Sequence, residues 1–152
     1  MKYTYSILLL LTILTPIIGV SQGSVKEMVD NKRFVFQAQS MTPLKGSMRT
    51  LSPGYTMKVS PDTLTSDLPY AGRAFQATYG STDGGMKFKA TDFDYTVKEK
   101  KNGWTINIKT RKVTGSPRVM ISIFDNGNAT IVISSSDRDS ITYYGVINSG
   151  SQ

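Results

Sequence analysis

The sequence predicts a mainly β, single-domain protein: an antiparallel meander forming a small barrel or a two-layer sandwich of about eight or nine strands, with one short N-terminal helix. Three observations predict it. Apolar and polar residues alternate with a period of two along most of the chain after Arg33, the pattern of strands with one buried and one wet face. Turn residues separate the alternating runs at short intervals. Helical periodicity appears convincingly only once, in Ser24 to Lys32.

The chain opens with Met1-Lys2-Tyr3 and an apolar run, Ile7 to Leu14, which Pro16 interrupts before the small residues Gly19 and Ser21. A basic start, a short apolar stretch and a small-residue cleavage site make a secretory signal peptide over residues 1–21. A membrane-spanning helix needs about 20 apolar residues, and this run is shorter and carries a proline. Cleavage after Ser21 leaves Gln22 as the new start and residues 22–152 as one β-rich domain. The 152-residue chain less those 21 leaves 131 residues, enough to bury a core without staples. The expected location is therefore outside the cytoplasm, in the periplasm.

Ser24 can cap the short helix, and Glu27 stands at the spacing of a capping box. Strands follow. Phe34, Phe36 and Ala38 alternate with Val35, Gln37 and Gln39, and Tyr55, Met57 and Val59 with Thr56 and Lys58. Met86, Phe88 and Ala90, then Phe93, Tyr95 and Val97, then Trp104, Ile106 and Ile108 repeat the pattern. Val119 to Phe124 and Ala129 to Ile133 are greasier and belong nearer the centre, and a last strand runs from Ile141 to Ile147. Lys101-Asn102-Gly103 and Asp125-Asn126-Gly127-Asn128 are hairpin turns, and Ser52-Pro53-Gly54 and Asp83-Gly84-Gly85 mark further reversals.

Composition closes several mechanisms. There is no cysteine and no histidine. That excludes disulfides, thiolate nucleophiles, thiolate metal sites and imidazole bases. No glycine-rich phosphate loop precedes a helix, and nothing calls for a cofactor or a metal. The mature net charge is +6, the whole-chain +7 less Lys2. A basic balance favours anionic neighbours, although export argues against nucleic acid.

The most distinctive block is Leu68-Pro69-Tyr70-Ala71-Gly72-Arg73-Ala74-Phe75. Pro69 marks an edge or a strand start, and Gly72 a bulge or close backbone approach. Arg73 between Tyr70 and Phe75 could stack on a ring or hold a carboxylate. The other reading is an edge strand that curls the sheet, with Arg73 in an ion pair.

Three stretches carry a resemblance. They are VSPDTLTSDLPYAGRAF, then GGMKFKATDFDYTVKEKKNGWTINI, then ISIFDNGNATIVISSSDRDSITYYGVI. In order and spacing the chain resembles the bacterial domain-of-unknown-function family 4251 from about Phe34 to Ile147. That family is typical of exported proteins of Bacteroidetes. The resemblance implies an envelope location and a mostly-β domain, and it brings no activity and no functional residues.

Three function classes remain. The first is a non-catalytic exported domain that binds a small ligand or an envelope partner, with Tyr70, Arg73, Tyr95, Trp104 and Tyr143 as candidate ligand-binding residues. Arg73 would hold an anionic group and the rings would form the walls of a pocket in an unfilled interior. The second is a carboxylate hydrolase using Asp92 with Asp94, or Asp137 with Asp139. Against it, Asp is common at strand edges and turns for its local hydrogen bonds. The third is an adhesive or structural role. Lys98, Lys100, Lys101, Lys109, Arg111 and Lys112 would crowd one hairpin and touch an anionic membrane surface or acidic polymer, or would guard a sheet edge.

Overall fold

The computed structural model describes residues 24–74 and 85–150. The expected leader, Phe75 and the Asp83-Gly84 part of the expected reversal lie outside the described residues.

The helix forms where the capping box places it. It is α1 (Val25–Asp30), with Ser24 as N-cap. The Ser24 hydroxyl accepts the Glu27 amide at 3.2 Å, and the Glu27 carboxylate accepts the Ser24 amide at 3.0 Å. Ten strands follow: β1 (Phe34–Pro43), β2 (Arg49–Thr50), β3 (Thr56–Val59), β4 (Leu64–Leu68), β5 (Met86–Ala90), β6 (Phe93–Lys100), β7 (Gly103–Thr110), β8 (Arg118–Phe124), β9 (Asn128–Ser134) and β10 (Ile141–Asn148).

Nine of them form one antiparallel sheet in the order β5-β4-β3-β1-β10-β9-β8-β7-β6, and the two-residue β2 pairs β1 beside it. The first strand pairs the last, Phe36 opposite Ile147 and Pro43 opposite Ile141. That pairing curls the meander into a nearly closed barrel and decides between the barrel and the sandwich. A bulge between Ala38 and Ser40 bends β1, and the extra residue Gln39 accepts the Leu51 amide at 2.8 Å.

Two elements differ from the sequence expectation. β4 went unread because its inward set is Leu64, Ser66 and Leu68. The middle residue is polar, although it is buried and its hydroxyl donates to the Met86 carbonyl at 2.6 Å. The junction of β5 and β6 is no hairpin. They are the two edges of an odd-numbered antiparallel sheet, so they run the same way. The chain passes from one edge to the other through a bend at Thr91-Asp92, which lacks the Asn-Gly chemistry of a tight reversal. The Arg111 amide donates to the Asp92 carbonyl at 2.9 Å, tying that bend to the end of β7.

Inward positions fill the barrel. Phe34, Phe36, Met57, Leu64, Leu68, Ile106, Ile121, Ile131, Ile133 and Tyr143 are all buried to 2% exposure or less. A barrel of about eight strands has an interior just wide enough for side chains, and these occupy it. Outward positions such as Lys58, Asp67, Lys98, Lys109 and Arg118 are exposed, the reverse of a transmembrane barrel's lipid face.

The two ends differ. At the helix end, α1 buries Met28 and Val29. Two tight turns close the same end, residues 101–102 between β6 and β7 and residues 125–127 between β8 and β9. At the loop end lie the longer connections after β1, β4, β7 and β9.

Candidate functional site

The densest polar cluster sits at the loop end. The connection between β9 and β10 carries Ser135, Asp137 and Arg138. The Asp137 carboxylate is 5% exposed. It accepts the Ser135 hydroxyl at 2.6 Å on one oxygen and the Arg138 Nε and Nη2 at 3.2 and 3.0 Å on the other. Burial pushes its pKa up, but the Ser135 and Arg138 bonds outweigh that and hold it below the usual carboxylate range. Gly115, at φ +74, approaches the carboxylate so closely that a Cβ there would overlap it.

Arg138 ties separate parts of the chain together. Its Nη1 donates to the Gly85 carbonyl at 3.1 Å, and its guanidinium lies 5.2 Å from the centre of the Tyr70 ring. A cleft of 340 Å³ opens beside it, lined by Gly85, Phe88, Val113, Pro117, Asp137 and Arg138 among others. Both Arg138 and Asp137 direct their hydrogen bonds at protein groups rather than into that cleft.

The Pro69-to-Arg73 block is part of the same structure. The Tyr70 hydroxyl lies between the carbonyls of Arg73 and Asp139, at 2.8 and 3.1 Å. Burial raises its pKa first, and the Asp139 charge adds to that. Gly72 is required because a Cβ would stand 2.5 Å from the Tyr70 hydroxyl. The Tyr143 hydroxyl donates to the Pro69 carbonyl at 2.6 Å from a ring that is fully buried, and burial raises its pKa. Arg73 contributes its carbonyl here, which also accepts the Asp139 amide at 3.0 Å; its side chain is exposed.

The five candidate ligand residues therefore fall into two groups. Tyr70, Arg73 and Tyr143 meet at the loop end. Tyr95 stands against α1, with its hydroxyl 3.5 Å from the Val29 carbonyl and the Lys32 ammonium 5.0 Å over its ring. Burial raises its pKa well above the usual tyrosine value. Trp104, at the start of β7, lines a separate groove at the helix end with Lys100, Thr105 and Phe124. The buried Thr105 hydroxyl there has no hydrogen-bond partner among the described residues. The cation facing an aromatic ring at the loop end is Arg138, which sequence reading passed over. Its neighbours Asp137 and Asp139 gave a signal, but its partner Gly85 is 53 positions away.

The acids are bonded as well. Arg111 binds Asp94 through Nη2 at 2.6 Å and Asp92 through Nη1 at 3.1 Å, and Lys112 reaches Asp92 at 3.4 Å. The Lys112 bond, with the Arg111 bond and both cations' charges, outweighs the opposing effect of burial and holds the Asp92 pKa below the usual carboxylate range. The expected basic hairpin is divided: Lys98, Lys100 and Lys101 lie toward the helix end, while Lys109 pairs across from Asp94 near the other end of β6. Among the described residues, no group of three or more acids could hold a metal ion.

Residues 20–147 match the family described as Domain of unknown function (DUF4251). The chain belongs to the DUF4251 family. A crystal structure of a DUF4251 family protein from Bacteroides eggerthii is similar, with a TM-score of 0.59 at 15% identity, covering 82% of this chain and 84% of that one. At that identity the likeness speaks for the fold. No curated protein matches. This DUF4251 chain is thus a nearly closed meander barrel with a polar clasp at its loop end.

Proposed function

We propose that this DUF4251 protein is an exported, non-catalytic contact module of the cell envelope that works through its outer surface. The observation that carries the reading is that its conspicuous polar groups bond to one another. Asp92 and Asp94 share Arg111, and Asp137 is held by Ser135 and Arg138. A two-carboxylate mechanism needs one acid with a raised pKa and a second facing it across the substrate. Here Asp92 and Asp137 are both shifted down. The Ser135–Asp137 hydrogen bond has the look of a nucleophile and its base. A carboxylate held below its ordinary pKa is too weak a base for that task. Among the described residues, inward side chains such as Phe36, Ile121 and Tyr143 occupy the interior, which favours contact through the outer surface, and the Met1–Ser21 leader pattern supports export.

Fractionation of the native host with mass analysis of the chain tests the reading. A chain starting at Gln22 in the periplasmic or membrane-associated fraction is the expected result. An intact chain confined to the cytosol would overturn it.

A further inference from the structure

The connection after β1 has a feature that the clasp and the barrel do not explain. Leu44 and Met48 are 61% and 63% exposed, the largest values for any large apolar residue among the described residues. They flank a short tip, Lys45-Gly46-Ser47, and Arg49 follows. The tip is held at both ends. The Leu44 amide donates to the Ser140 carbonyl at 3.2 Å, and Ser40 and Met41 of β1 pair Thr50 and Arg49 of β2. Buried Pro43 anchors its base, with Gly46 at φ +148 turned back over the proline ring. The two apolar side chains are therefore held in water by a fixed backbone.

Exposed cations lie next to them in the chain and on an adjoining segment. Lys45 and Arg49 belong to the tip. Arg73 joins them, because its carbonyl accepts the Asp139 amide one residue from the Ser140 carbonyl that holds Leu44. None of the three has a hydrogen bond or ion pair to another side chain among the described residues. The acids on the adjoining connection are Asp139 and Asp137, and Asp137 is already bound to Arg138. Protruding apolar side chains beside exposed cations that have no side-chain partner among the described residues match the interface of an anionic bilayer, where apolar groups enter the acyl boundary and cations meet phosphates.

We propose that the Leu44–Arg49 tip docks this protein on an anionic lipid surface, with Leu44 and Met48 entering the interface and Lys45, Arg49 and Arg73 contacting headgroup phosphates. This rests on the contact-module reading and names its partner. It moves the membrane contact from the expected Lys98–Lys112 hairpin, whose Lys98, Lys100 and Lys101 lie toward the helix end, to the tip after β1 at the loop end.

The test is co-sedimentation of the chain, as its host processes it, with phosphatidylglycerol-containing vesicles and with purely zwitterionic ones. Binding should require the anionic lipid and weaken with salt. Leu44→Ser with Met48→Ser should lower it roughly tenfold. Lys45→Gln and Arg49→Gln should each lower it about fivefold, while Lys98→Gln with Lys100→Gln should leave it within about twofold. Equal losses from both ends would mean that overall charge acts, and would overturn the proposal, as would complete release from the vesicles by inorganic phosphate at constant ionic strength, which would mean that the site takes free phosphate and not a lipid surface. A local readout guards against misfolding and against adhesion through the leader. In a Met48→Trp, Trp104→Phe chain, emission should shift blue and be quenched by brominated anionic lipid. Unchanged emission would overturn the proposal, and an envelope-located chain that gave it would leave the contact-module reading standing.

Discussion

The helix end and the loop end of the barrel are closed by different means. The helix end is built mainly from local signals, with the Tyr95 hydroxyl near the Val29 carbonyl, 66 positions away, as a weak distant tie at 3.5 Å. A capping box links Ser24 and Glu27, three positions apart, and two tight turns join consecutive strands. The loop end is closed by bonds between distant segments: Arg138 to Gly85, Tyr143 to Pro69, and Tyr70 to Asp139, separated by 53, 74 and 69 positions. Local closure has a pattern that can be read along the chain, whereas distant closure depends on partners that only folding brings together. The difference also assigns roles. Conspicuous residues at the loop end bond across it to distant segments, and the proposed contact falls to the plain side chains of the Leu44–Arg49 tip.

The largest expected effect comes from breaking the clasp. Asp137→Ala removes the partner of an Arg138 side chain that is only 20% exposed, and should cost about 3 kcal/mol in denaturant unfolding. Tyr143→Phe leaves the Pro69 carbonyl without its donor and should cost about 1.5 kcal/mol in the same assay. Ser24→Ala at the helix end should cost about 1 kcal/mol. A Ser24→Ala loss as large as that of Asp137→Ala would reverse the comparison. Thr105→Val, which deletes the unpartnered buried hydroxyl, should be neutral or stabilising by up to about 1 kcal/mol.

Acid should act on the loop end first. The folded-state pKa of Asp137 is depressed, so its contribution is fully present above the unfolded value of about 4 and is lost as pH falls through the folded value. Thermal midpoints should therefore drop below about pH 4, and Asp137→Asn should flatten that part of the curve. An unchanged slope in the variant would assign the acid response to other carboxylates.

Legibility followed the same division. The helix, its cap and the Asn-Gly turns were readable because each signal spans a few residues. β7 to β10 were readable because Ile and Val recur at every second position. β4 was hidden by Ser66, a hydroxyl buried on the core face through its bond to Met86. In the sequence, Tyr70 and Tyr143 suit pocket walls and Arg73 an anion holder, because aromatic and cationic residues look alike in a pocket and in a scaffold. The hydroxyl-to-carbonyl bonds that place two of them in the scaffold join residues that sequence spacing does not relate. Arg138 was invisible for the same reason.

The claim on which all of this depends is that the interior is solid, so that the protein meets its partners from outside. Methyl NMR under xenon pressure addresses it directly, since xenon enters apolar cavities and shifts the methyls that line them. The inward methyls of Ile106, Ile121, Ile131 and Ile133 should show no saturating shift. A saturable response converging on those four residues would reveal a lumen and contradict the account.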